Sequence, residues 1–304
     1  YLATIPLHMV VRSLRWQAML EPIRPRLPVR ELFSATTIGY MASLLPGRVG
    51  EVLRPLLIAR RTRIPAAPTM ATVGVERIVL DLLAVLFSGA LGLMLPGAVS
   101  GLGAHADQAL ITRLRGIGTT FMLVAIGLLV VVHLIGRFRV PLSVWLEARA
   151  ARARVRLVPP ILRWLDSLTP GFGSMGTVPG LLRIAAWTAA VWIVIGAGMH
   201  FGIEACGVDL APGGVLVMLP ILAIGIGIPS PGGTGTFHYA MKLGLVALFA
   251  VDEAAAVGAG LVVHAGNWLP ILAMGGWCVA RGGLVRPEAP AGGEGLEPAE
   301  GALR

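Results

Sequence analysis

Two groups of residues in this sequence could do chemistry, and both sit among apolar neighbours. The first is Arg48, Glu51 and Arg54, followed by Glu76, Arg77 and Asp81. Glu51 and Arg54 stand at i, i+3 and Arg77 and Asp81 at i, i+4, spacings at which opposite charges meet on a helix. A charge inside a membrane span costs about 2.5–3.5 kcal/mol on insertion scales. Two readings therefore compete. The pairs either fasten one element to the next, or Arg48 or Arg54 meets an anionic headgroup while the carboxylates tune it. The second group is Gly232, Gly233, Thr234 and Gly235, then His238 and Lys242 at i, i+4. Thr234 and Gly235 open a helix whose amides and dipole suit phosphate oxygens, and the glycines let a ligand approach the backbone. His264 and Asn267 could add hydrogen bonds, although an intramembrane histidine such as His264 or His200 is more often a packing residue. Arg12 and Arg15, ahead of Trp16, read either as snorkelling cations with an aromatic anchor or as further contacts to lipid phosphate.

The elements that must position these residues are membrane spans. Hydrophobic residues make up 56% of the chain and charged ones 13%, about half the charged fraction of soluble domains; the mean hydropathy is +0.79. Five stretches carry no Asp, Glu, Lys or Arg and approach or exceed the roughly 20 residues needed to cross the hydrocarbon: Leu82 to Ala106, Gly116 to Gly136, Ile184 to Ile203, Leu210 to Met241 and Ala254 to Ala280. Tyr1 to Val11 is apolar as well and reads as a trimmed span rather than a secretory signal, since Arg12 and Arg15 follow it. The net charge is +9, and Lys242 is the only lysine. The arginines flank apolar spans, which fits phospholipid headgroups and orientation signals and not nucleic acid. Arginine clusters at 24–30, 60–63, 137–163 and 281–286 are expected on the cytoplasmic side, with Arg113 and Arg115 as exceptions. The predicted location is the cell inner (cytoplasmic) membrane, multi-pass.

That orientation leaves segment 31–60 with both ends on one side and two arms too short to span. A re-entrant helical hairpin is the economical solution, with Pro46-Gly47-Arg48-Val49-Gly50 at its tip. Backbone broken at that depth is tolerated only when buried in protein or lining a wet cavity. Segment 212–250 has the same build around Pro231-Gly232-Gly233-Thr234-Gly235, sharing the pattern P-G-x-x-G. Three spans between them would invert the second, the arrangement that points to a transport site. The predicted fold is an all-α integral membrane protein, a polytopic bundle of two inverted halves. Residues 1–136 form the first half and 182–281 the second. An amphipathic cytoplasmic elbow and linker (137–181) joins them, and a disordered tail follows (282–304). Cys206 and Cys278 fall at opposite faces, so no disulfide is expected. No phosphate-binding loop, metalloprotease helix, nucleophile elbow or paired-cysteine metal motif occurs. The chain is expected to be no enzyme and to need no cofactor or metal.

Several residues together carry a resemblance. Arg12-Ser13-Leu14-Arg15-Trp16, Ile38-Gly39-Tyr40, Leu45 through Arg54, and Glu76-Arg77 with Asp81 resemble the flippase-like transmembrane family that includes the membrane half of lysylphosphatidylglycerol synthases. Pro229 through Phe237 and His264 look like that family's second signature. Taking Phe237 as the register, His238 stands where the family usually has an acid, so no carboxylate role carries over to the second half. The resemblance implies movement of lipids between leaflets, or handling of lipid-linked phosphates. Membrane lipids are the expected partners, with a separate lipid-modifying synthase or glycosyltransferase and a homo-oligomer left open. Three readings follow: a lipid flippase, an accessory protein presenting lipid to such an enzyme, or a membrane-embedded enzyme using Glu76 or His264 as acid or base. The first requires the two glycine turns to approach each other around a wet, charged pocket.

Overall fold

Prolines and apolar runs set the helix boundaries. Helix α1 (Thr4–Leu20) is followed by α2 (Val29–Ala42), which starts after the extended Pro28 and carries Glu31 in its first turn. Helix α3 (Val49–Thr62) ends on Arg60 and Arg61, cations that complement its dipole. Helices α2 and α3 have 14 residues each; at 1.5 Å per residue each is about 21 Å long, short of the roughly 30 Å hydrocarbon core. They pack side by side, and Arg61 pairs with Glu31 at 3.0 Å to tie their outer ends.

Helix α4 (Ala66–Val75) runs through a π-helical segment (Glu76–Asp81) into α5 (Leu82–Met94). Together Ala66–Met94 is long and apolar enough to cross a membrane, as are α7 (Val178–Glu204) and α10 (Glu253–Ala280). Between them lie α6 (Gln108–Ala153), α8 (Pro212–Gly227) and α9 (Thr236–Phe249). Thr177 caps α7 and Asp252 caps α10 through backbone N–H groups. The chain is a multi-pass helical membrane protein, and its outward-facing Ile78, Ile193, Ile224 and Leu269 are apolar, as a lipid-facing surface must be. The computed structural model describes residues 1–45, 49–95, 108–153, 173–228 and 230–282, and no strand occurs among them.

Helix α1 lies between α2 and α7, α5 packs on α6 and α8, and α10 packs on α2 and α9. Two large apolar cores result, with a small third of Ile5, Met9 and Ile271 between α1 and α10. Trp16, Met19, Leu32, Ile38 and Ile58 fill one between α1, α2 and α3. Met199, Ile203, Met218, Met241 and Leu245 fill the other between α7, α8 and α9.

The stretch 210–241 is two helices separated by the turn at Pro231–Gly235, as the P-G-x-x-G pattern implies. Helix α6 departs from the expected organisation: it continues from the apolar stretch 116–136 through Pro141 to Ala153, so the start of the elbow, Trp145 included, extends the same helix. A proline whose neighbours are already helical can be carried when the freed carbonyl finds another donor. The remainder of the elbow with Trp164, the tip residues Pro46, Gly47 and Arg48, and nearly all of the tail lie outside the described residues. Cys206 and Cys278 are both free thiols.

Candidate functional site

Three elements bring seven charged side chains together. Helix α1 supplies Arg12 and Arg15 from one face, three residues apart. Helix α3 supplies Glu51 and Arg54. The π segment supplies Glu76, Arg77 and Asp81, and its winding matters. In an α-helix residues five apart point about 140° away from each other. The i→i+5 ring of a π segment stacks them instead, so Glu76 and Asp81 both face α1.

The geometry is dense. Glu76 Oε1 receives Arg12 Nη1 at 3.1 Å, Arg15 Nη2 at 2.9 Å and Arg54 Nη1 at 3.0 Å. Asp81 takes Arg15 Nη1 at 2.8 Å on one oxygen, and Arg12 at 3.3 Å and Arg77 at 3.1 Å on the other. Arg77 also reaches Glu51 Oε1 at 3.6 Å and donates to the Tyr40 hydroxyl at 2.7 Å. His8 Nε2 accepts from Arg12 Nε at 3.1 Å. The guanidinium of Arg54 lies 4.0 Å from the ring of Trp16, whose Nε1 donates to Thr72. Tyr40 has Arg12 and Arg77 over its ring, each at 5.2 Å.

Burial makes this arrangement consequential: Arg15 and Glu76 are 0% exposed, Arg54 2% and Arg12 3%. Charges out of water hold only when paired. Among the described residues four guanidinium groups face three carboxylates here, an excess of one positive charge. Satisfaction is also incomplete. Glu76 Oε2, and Arg54 Nε and Nη2, have no hydrogen-bond partner among the described residues. Beside them Gly39, Tyr40, Ser43, Gly50, Glu51, Arg54, Val73 and Arg77 line a cleft of about 10 Å³, room for one water molecule. The expected wet pocket is therefore closed to that remnant. The reason is the glycine seam between α2 and α3: a Cβ on Gly50 would sit 1.8 Å from the Gly39 carbonyl oxygen, so the two backbones touch.

The second turn is built differently. Gly232 (φ 59°), Gly233 and Gly235 adopt left-handed backbone. Trp268 Nε1 donates to the Gly232 carbonyl at 3.1 Å, and His264 Nε2 lies 3.0 Å from the same oxygen. Gly232 packs against Leu44, since a Cβ there would meet the Leu44 Cδ2 at 2.6 Å. The two interrupted regions therefore touch, with Leu44 closing the distance.

The expected anion-binding role of the second turn's amides meets an obstacle. The N–H groups of Gly233 and Thr234 donate to the carbonyls of Ser230 and Pro231, and that of Gly235 to His238 Nδ1 at 3.2 Å. These amides are spent inside the turn. The His238 ring stands 4.6 Å from that of His264. Lys242 points elsewhere: it pairs with Glu253 at the start of α10, both side chains exposed. Thr234 is exposed. His200 stands 3.9 Å from Glu204 on its own helix, apart from both groups.

Of the residues read from the sequence, Arg12, Arg15, Glu51, Arg54, Glu76, Arg77 and Asp81 form one cluster, and Gly232, His238 and His264 a second. Arg48 lies outside the described residues. Sequence reasoning missed His8, Tyr40, Thr72 and Trp268 as partners. Tyr40, within the Ile38-Gly39-Tyr40 stretch that carries the resemblance, was the one with a visible signal.

Among proteins of known sequence, a glycosyltransferase, AglD of Haloferax volcanii, is 29% identical over 285 residues. The match covers 84% of this chain and 44% of that protein, so the chain spans less than half the length of this curated relative. No solved structure matches the chain. The family model of the lysylphosphatidylglycerol synthase TM region matches residues 1–275, which include both clusters. The chain belongs to the lysylphosphatidylglycerol synthase TM region family.

Proposed function

We propose that this protein moves an anionic or modified lipid, or a lipid-linked headgroup, between the leaflets of the cytoplasmic membrane. The observation that carries the reading is the buried cluster in which four guanidinium groups face three carboxylates. A structural ion-pair network needs no excess charge, and an unbalanced cation in a low-dielectric interior favours an incoming anion. Two further features support it. Helices α2 and α3, and α8 and α9, are pairs of short helices with a P-G-x-x-G sequence between them or at the start of the second, consistent with two re-entrant hairpins in inverted halves. The turns meet at Leu44 and Gly232, where a headgroup could pass while acyl chains stay in lipid. On this reading the chain itself catalyses no bond change.

The test is reconstitution. Liposomes carrying fluorescent phosphatidylglycerol and the purified chain should expose inner-leaflet label to dithionite faster than protein-free liposomes. Arg15→Gln should reduce that rate to the protein-free level. Equal rates with and without the wild-type chain would remove the proposal.

A second reading has its own observation. The glycosyltransferase relative is more than twice as long as the region it shares with this chain. A membrane module presenting a lipid-linked substrate to a separate synthase or glycosyltransferase accounts for that. Stable co-purification with such an enzyme, without lipid movement by the isolated chain, would favour it.

A further inference from the structure

Arg15 and Arg54 each carry an Nε and an Nη2 with no hydrogen-bond partner among the described residues, and of the two only Arg54 lines the cleft, with Arg77, Tyr40 and Ser43. Arg54 is buried and uses a single N–H, on Glu76 Oε1. A guanidinium presents donors in a fixed fork that matches two oxygens of one phosphate. Glu76 Oε1 is oversubscribed by comparison: were Arg54 withdrawn, Arg12 at 3.1 Å and Arg15 at 2.9 Å would still hold it.

We infer that Glu76 occupies the place of a substrate anion on Arg54, and that a singly charged phosphodiester headgroup displaces it, seated between Arg54 and Arg77 in the cleft beside Gly39 and Gly50. This rests on the lipid-anion reading above and names its substrate class. Charge selects the class. One negative charge cancels the excess of the seven-membered cluster, whereas a phosphate monoester dianion overshoots it and a zwitterion leaves it uncorrected. The exchange leaves no charge without an opposite partner, because Glu76 Oε1 keeps two guanidinium groups while Arg54 gains a forked one. Room for the headgroup comes from the seam. At that point Gly39 and Gly50 meet backbone to backbone, with Arg54 Cβ and the Ser43 hydroxyl the nearest side-chain atoms. A parting confined to the seam, with the core around Leu32 and Ile58 kept closed, therefore exposes little apolar surface.

The test uses the purified full chain in phosphatidylcholine nanodiscs, titrated with dihexanoyl phosphatidylglycerol, dihexanoyl phosphatidylcholine or inorganic phosphate and read by calorimetry. The wild type should bind the phosphatidylglycerol. Glu76→Gln, which keeps the shape and removes the competing charge, should tighten that binding by at least about fivefold. Arg54→Lys keeps the charge and loses the fork, and should weaken it by about tenfold. Unchanged or weaker binding by Glu76→Gln overturns the displacement while leaving the lipid reading standing. Equal binding of phosphatidylcholine overturns the anionic class, and equal binding of inorganic phosphate overturns a lipid as its source. No binding of any lipid by the wild type removes the lipid reading itself. Should Glu76→Gln fail to fold, Arg54→Lys decides, and unchanged affinity there overturns the inference.

Discussion

The two interrupted regions share the pattern P-G-x-x-G and are held in opposite ways. Around the first, the neighbouring side chains are ionic: Arg54 and Glu51 from α3 meet Glu76, Arg77 and Asp81, with α1 adding Arg12 and Arg15. Around the second they are uncharged, and Trp268 and His264 converge on the single carbonyl of Gly232. The first arrangement stores unmet hydrogen-bonding capacity in Arg54 and Glu76. The second satisfies its amides within the turn. A region that is internally satisfied suits a fixed wall, and one with unmet donors suits a place where something binds.

Substitutions can break this contrast, and their expected effects fall in order. Glu76→Ala removes the acceptor shared by three buried guanidinium groups and should cost about 3–5 kcal/mol. Loss of the monodisperse peak in size-exclusion chromatography would show it; a variant melting with the wild type would mean that the cluster does not hold α1, α3 and the π segment together. Gly232→Ala places a Cβ in left-handed backbone, costing about 1–2 kcal/mol, and against Leu44 besides. The melting temperature should fall clearly, while phosphatidylglycerol affinity is retained. Trp268→Phe keeps the ring and deletes one donor to Gly232. It should cost about 0.5–1.5 kcal/mol, visible as a small shift in melting and nothing in anion binding. Lys242→Gln touches only an exposed pair with Glu253, and should change stability by no more than about 0.5 kcal/mol. A large effect of Lys242→Gln on lipid movement would return the second region to the site.

Much of this contrast was legible in the sequence. Charges in apolar surroundings singled out Glu51, Arg54, Glu76, Arg77 and Asp81, and the i, i+4 spacing correctly paired Arg77 with Asp81. The i, i+3 spacing of Glu51 and Arg54 did not predict their partners. Arg54 turns to Glu76 and Glu51 to Arg77, because a buried carboxylate across the interface outweighs a neighbour along the same helix. Arg12 and Arg15 were ambiguous for a related reason. Snorkelling and burial are equally compatible with arginines late in an apolar helix, and only the packing of α1 between α2 and α7 decides for burial. The π segment left no mark in the sequence, yet it turns Glu76 and Asp81 the same way. In the second region the glycines marked the turn itself, while its anchors, Trp268 and His264, lie more than thirty residues further on.

The most direct measurement is a density map of the protein in nanodiscs with dihexanoyl phosphatidylglycerol. The account predicts phosphate density between Arg54 and Arg77, with helices α2 and α3 parted at Gly39 and Gly50 and Glu76 held by Arg12 and Arg15 alone. Lipid density confined to the outer faces of the helices, with Arg54 still on Glu76 and the seam closed, would contradict it.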